Sequence, residues 1–215
     1  MSALRDDVDP EGLLEFSVVF SDRSLNSMSA VFGGVMRDIS RILKQAYNAD
    51  SMAVVPGGGT YGMEAIARQF ASNKSALIIR NGWFSYRWSQ ILDAGDIAKT
   101  QTIIKASQLS DDPTSPFAPA SLEKIKAEIT KQKPDIVFCP HVETSAGIVV
   151  PDSFIKQVSD AVHQVGGLFV LDCVASGTLF VDLQSTGVDV LLTAPQKGWS
   201  ASPCAAAVMM SARGR

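Results

Sequence analysis

The chain is predicted to fold as an α/β domain, a three-layer α/β/α arrangement around a mostly parallel sheet. Three observations predict it. Short, continuously apolar runs such as "SALIIR", "DIVFCP", "LFVLD" and "DVLLTA" read as strands buried on both faces. Segments with helical periodicity separate them. The length of 215 residues, with 46% hydrophobic and 19% charged, suits one domain with a substantial core.

Taken in order, residues 1–25 read as an irregular N-terminal arm with one possible strand, "LLEFSVVF". Residues 26–215 form the domain. Met28, Val31, Phe32, Val35, Met36, Ile39, Ile42, Leu43 and Ala46 recur at helical spacing, with Asn26 or Ser27 as the cap. "MAVV" is a strand, and a helix runs from about Thr60 to Ala71. "SALIIR" is followed by a helix near Phe84–Ala94, and "TQTIIKA" is the next strand. The loop "QLSDDPTSPFAPAS" leads to a helix with Leu122, Ile125 and Ile129 on one face. After "DIVFCP", Pro151 and Asp152 open a helix that Gly166 and Gly167 close. "LFVLD", "DVLLTA" and "CAAAVMMS" complete the strands. There is no repeat and no low-complexity tract.

Charge and cysteine usage exclude several classes. The formal net charge is -3, and no basic run exceeds a dipeptide, so nucleic acid is not an expected partner. The polar, acidic start "MSALRDDVDPEG" lacks the order of a secretion signal or a transit peptide. No apolar run is long enough to span a bilayer, so no membrane partner is expected. Cys139, Cys173 and Cys204 have no zinc spacing, and their odd number is a poor disulfide framework. They are expected to be buried, reduced thiols in a cytoplasmic protein. Two histidines, His141 and His163, do not make a metal cluster, and no metal site is expected.

In a parallel α/β sheet, ligands bind beyond the carboxyl ends of the strands. The residues there are Gly57–Thr60, Asn81–Phe84, His141–Ser145, Asp172 and Gln196–Lys197. Gly57 to Gly62, "GGGTYG", matches the glycine fingerprint of dinucleotide sites. A long helix precedes it, Pro56 abuts it, and Arg80 ends the next strand where an acidic residue would hold a ribose. Arg80 would at best suit a 2′-phosphate. No Gly-Lys-Ser/Thr follows, so the loop is not a P-loop. Its glycines and Thr60 at a helix start still suit a phosphate. The loop alone leaves three readings open: an NADP-type cofactor, another phosphate, or a capped turn with no ligand.

Lys197 and Asp172 narrow the choice. Lys197 lies just beyond a buried strand, among small residues, where it is expected to be desolvated and available as nucleophile and base. Asp172 ends another buried strand, where a carboxylate needs a cationic partner or several donors. Pyridoxal 5'-phosphate explains the set together. The lysine would bond the cofactor, the aspartate would keep its pyridine nitrogen protonated, and the glycine loop would bind its phosphate. Phe84 supplies an apolar face for the ring, with Trp83 the competing aromatic by spacing.

At this point the sequence resembles a family. "PGGGTYGMEA", "RNGWFSYRW", "HVETSAGIVVPD", "LFVLDCVAS" and "GVDVLLTAPQKGWSASP" keep the order and spacing of the class V, fold-type I pyridoxal-phosphate aminotransferases of the alanine/serine–glyoxylate kind. The resemblance implies that Lys197 is the Schiff-base lysine and that Asp172 pairs with the pyridine nitrogen. Phe84 would stack on the ring, and Val174 would pack on its other face. Gly58, Gly59, Thr60 and Gln196 would meet the phosphate, and Thr144 would reach the ring hydroxyl. Gln196 before the lysine resembles the aminotransferase branch, where cysteine desulfurases usually carry His. His141 and Glu143 belong to the motif and are expected to serve structural hydrogen bonding.

The resemblance further implies a homodimer and a reaction between a small amino acid and a 2-oxo acid such as glyoxylate or pyruvate. It implies that this sequence is the large domain, with the C-terminal small domain and its substrate-binding arginine absent. A lyase or desulfurase of the same family, an NADP-dependent reductase and a catalytically incompetent fragment are the alternatives.

Overall fold

The structure is a computed structural model, and it describes residues 27–215. The expected arm over 1–25, its "LLEFSVVF" strand and the candidate cap Asn26 lie outside the described residues. The first helix, α1 (Ala30–Tyr47), starts later than either expected cap. Ser29 caps it, its hydroxyl accepting the Phe32 N–H at 3.0 Å. Asn48 ends it in the left-handed region at φ 51°. Leu43 packs on the core and Tyr47 is buried, but Val31, Val35 and Ile42 of the apolar stripe stay exposed.

From there strands and helices alternate. β1 (Ser51–Pro56) leads to α2 (Gly59–Phe70), and β2 (Ser75–Arg80) to α3 (Trp83–Ala94). β3 (Thr100–Lys105) precedes a small hairpin, β4 (Ser107–Gln108) and β5 (Phe117–Ala118), then α4 (Leu122–Gln132). β6 (Ile136–Pro140) precedes a second hairpin, β7 (Val142–Glu143) and β8 (Ile148–Val149), then α5 (Asp152–Gln164). β9 (Leu168–Asp172), the short α6 (Leu183–Thr186), β10 (Val190–Thr193) and β11 (Ala205–Met210) follow.

The main sheet has the order β1-β11-β10-β9-β6-β2-β3. Among the described residues, β11 runs opposite in direction to the other strands of this sheet. The pleat sends alternate side chains to two cores. On β6, Val137 and Cys139 join Ile125 and Ile129 of α4 and Ile155, Val158 and Val162 of α5. Ile136 and Phe138 face the other way, toward Ile66 of α2 and Trp88 and Leu92 of α3. Phe138 stacks on Trp88 with centroids 4.3 Å apart. These are the expected three layers, and among the described residues no helix is long and apolar enough to cross a membrane.

The strand order removes the dinucleotide reading. In that fold the first two strands of the unit are neighbours, so that the acidic or basic end of the second reaches the ribose. Here four strands separate β1 from β2. Arg80 sits across the sheet from the glycine loop, its guanidinium 4.8 Å from the Tyr86 ring centroid.

Candidate active site

The same strand order assembles the loops at the carboxyl edge into one site. The glycine loop leaves β1, the lysine loop β10, the aspartate β9, the Thr144 loop β6 and the Phe84 loop β2. Between them is a cavity of about 540 Å³. Gly59, Thr60, Phe84, Thr144, Asp172, Val174, Gln196 and Lys197 all line it. Gly58 stands just behind, where a Cβ would lie 3.5 Å from Gln196 Nε2. Phe84 is the aromatic on this cavity, and Trp83 points into a separate one with Arg80 and Lys105.

Local sequence explains each placement. Gly57 turns the chain off β1 at φ +112°, a torsion that favours glycine. Gly58 caps α2 and contributes no side chain, so the first N–H groups of α2 and the Thr60 hydroxyl are left to a ligand. Three loops then lock together beneath the lysine. Trp199 Nε1 donates to the Gly177 carbonyl at 3.2 Å, and a Cβ on Gly198 would fall 2.1 Å from Gly177 Cα. A hydrogen bond of 2.7 Å joins His141 Nδ1 to Ser176 Oγ in the same loop. Burial holds the His141 ring below its ordinary pKa, against the opposing charge of Asp152. This is the structural hydrogen bonding expected of His141.

Asp172 accepts the Val174 N–H on Oδ1 at 3.0 Å and lines the cavity between Pro140 and Leu192. Burial pushes its pKa up to about 6, from an ordinary 3.8. The Val174 N–H and the nearby Trp88 indole oppose the rise, and the charge of Glu143 adds to it. The Trp88 N–H is buried and completes no hydrogen bond, so it is a weak compensator. Gln196 Oε1 is buried without a partner.

Two expectations need correction. Lys197 is exposed on the cavity wall, because among the described residues nothing covers it. Cys204 is exposed where the chain enters β11, while Cys139 and Cys173 are buried thiols as expected. No cluster among the described residues could hold a metal ion. Arg87 also lines the cavity and was not singled out from sequence. It follows Phe84 by three residues on α3, a spacing that shares a helix face and could have revealed it.

The residues fit pyridoxal phosphate. A helix start without a side-chain cap suits the phosphate, a carboxylate penalised by burial and facing the cavity suits a protonated pyridine, and a primary amine suits the aldehyde. The comparisons agree. The family model described as aminotransferase class-V matches residues 17–205, and the chain belongs to that family. It is 27% identical over 194 residues to alanine–glyoxylate aminotransferase 1 of Saccharomyces cerevisiae, covering 84% of this chain and 47% of that protein. It is 26% identical over 192 residues to L-aspartate–glyoxylate aminotransferase of Paracoccus denitrificans, covering 87% and 46%. The crystal structure of an alanine–glyoxylate aminotransferase from Nostoc sp. superposes with a TM-score of 0.74 at 28% identity, over 88% of this chain and 48% of that one. The chain thus spans about half the length of the curated relatives it matches.

Proposed function

We propose that residues 26–215 are the cofactor-binding large domain of a pyridoxal-phosphate-dependent aminotransferase. It would move an amino group from a small amino acid of the alanine or serine type to a 2-oxo acid such as glyoxylate or pyruvate, working in the cytoplasm as a homodimer. The observation that carries this reading is the convergence of Lys197, Asp172 and the uncapped start of α2 on one cavity. The glyoxylate aminotransferases among its relatives support the substrate class.

When bound, pyridoxal phosphate supplies an electron sink conjugated to the substrate's α-carbon. The chain's residues have separate tasks. Gly58, Gly59, Thr60 and Gln196 hold the phosphate with N–H groups, a hydroxyl and an amide. Asp172 would keep a proton on the pyridine nitrogen, and its own burial gives it reason to pair with a cation there. Phe84 and Val174 confine the ring, and Thr144 offers its hydroxyl to the ring oxygen. Lys197 Nζ anchors the cofactor at rest and takes the substrate's α-proton during turnover.

The test supplies a protein that carries residues 26–215 at the full length of its curated relatives with pyridoxal phosphate, alanine and glyoxylate, and measures pyruvate and glycine. Equal amounts of both are expected, and none from Lys197→Ala. Pyruvate formation that survives Lys197→Ala, or conversion of cysteine to alanine with release of sulfur in place of transfer, overturns the reading.

A further inference from the structure

The site has two helix starts at its edge, and they are finished differently. α2 is open. α3, which carries Phe84, begins at Gly82 and so also lacks a side-chain cap of its own. Its orphan N–H groups are nevertheless all taken. The Trp83 N–H donates to Ser145 Oγ at 2.8 Å. The Phe84 N–H donates to Glu143 Oε1 at 3.0 Å, and the Ser85 N–H to Glu143 Oε2 at 2.9 Å. Two hydroxyls complete the carboxylate: Ser145 Oγ donates to Oε1 at 2.5 Å and Ser85 Oγ to Oε2 at 2.6 Å. All four acceptor positions of Glu143 are filled, and its side chain is fully buried.

From this geometry we infer that Glu143 is a positioning residue: its carboxylate clamps the start of α3 from across the sheet edge and thereby sets Phe84 on the wall of the Lys197 cavity. The clamp spans 59 residues of sequence to Phe84 and 58 to Ser85. Gly82 is what admits it. A Cβ there would lie 2.7 Å from Glu143 Cγ and 2.4 Å from Ser145 Oγ. The helix dipole favours a negative charge at this end. Burial opposes ionisation of Glu143, and the hydrogen bonds from Ser145, Ser85 and Phe84 outweigh it, so the group is held below the ordinary glutamate range. One consequence is a division of labour. The carboxylate occupies the anion position of α3, which leaves the start of α2 as the place for the phosphate.

The clamp is tested on the cofactor-free chain, and its effect on the ring by adding pyridoxal phosphate, which rests on the function proposed above. Amide hydrogen exchange is measured on wild type and Glu143→Gln, a variant that keeps the shape but loses the charge. Exchange at Phe84 and Ser85 is expected to quicken by about tenfold or more, with α2 and α5 unchanged. Unchanged protection at Phe84 and Ser85, or equal loosening everywhere, overturns the clamp. Should Glu143→Gln not fold, Ser145→Ala, which removes one donor to Glu143 Oε1, serves: faster exchange at Phe84 as well as Trp83 supports the clamp, and unchanged exchange at Phe84 overturns it. The visible circular dichroism of bound pyridoxal phosphate reads how the ring is seated, and it should fall in the folded variant. An unaltered band with loosened amides overturns the positioning role while leaving the clamp. Failure of wild type to bind pyridoxal phosphate overturns the cofactor reading and the positioning role with it, and leaves the exchange result to decide the clamp.

Discussion

Asp172→Asn should make the cofactor-free chain more stable while weakening its hold on pyridoxal phosphate. Burial raises the Asp172 pKa from 3.8 to about 6. Between those values the folded chain binds more protons than the unfolded one, so stability falls as pH rises through the window. The penalty is absent below about pH 4 and complete above pH 6. Roughly two pK units at about 1.4 kcal/mol each give about 3 kcal/mol, an upper figure because the group keeps some contact with water. Asparagine has no charge to bury and can still accept the Val174 N–H. Urea unfolding of both cofactor-free proteins should show the variant about 1–3 kcal/mol more stable at pH 8 and level with wild type at pH 4. Excess pyridoxal phosphate should reverse the order at pH 8, since only the carboxylate can pair with the pyridinium. A variant less stable than wild type at pH 8 without cofactor, or a difference that ignores pH, would refute the reasoning.

Three further outcomes follow from the same geometry. Thr60→Val should weaken pyridoxal phosphate binding about tenfold but leave pyridoxal, which lacks the phosphate, unaffected in fluorescence titrations; equal losses for both ligands would take Thr60 away from the phosphate. Phe138→Ala removes the ring stacked on Trp88 in a fully buried layer and should cost about 3–5 kcal/mol in urea denaturation; a loss below 1 kcal/mol would contradict that packing. His141→Asn breaks the bond to Ser176 and should cost about 1–3 kcal/mol at pH 7.5. Because the folded pKa of His141 lies below the ordinary 6.5, wild type loses that advantage as pH falls under 6.5, so the gap should narrow by pH 5; a constant gap would mean His141 is not buried neutral.

The parallel strands were legible because burial on both faces leaves continuous apolar runs, as in "IVFCP" and "LFVLD". The small hairpins β4–β5 and β7–β8 were not, since two-residue strands carry no periodicity. The α1 cap slipped because "NSMS" offers several cap residues, and only the structure shows Ser29 reaching the Phe32 N–H. The glycine loop looked ambiguous because its meaning depends on strand order, which local sequence does not encode. That Lys197 would lie on the cavity at the carboxyl edge was legible from its place after a buried strand. The exposure of Lys197 was not, because that depends on what stands opposite. The contacts of Glu143 were invisible for the same reason: its partners are nearly sixty residues away.

The central claim is that this cavity binds pyridoxal phosphate through Lys197. Borohydride reduction of the chain after incubation with pyridoxal phosphate, followed by peptide mass spectrometry, tests it most directly. The account predicts one pyridoxyl group, on Lys197, reduced when inorganic phosphate competes at the start of α2. Labelling scattered over surface lysines, or none on Lys197 in a chain shown folded by circular dichroism, would contradict it.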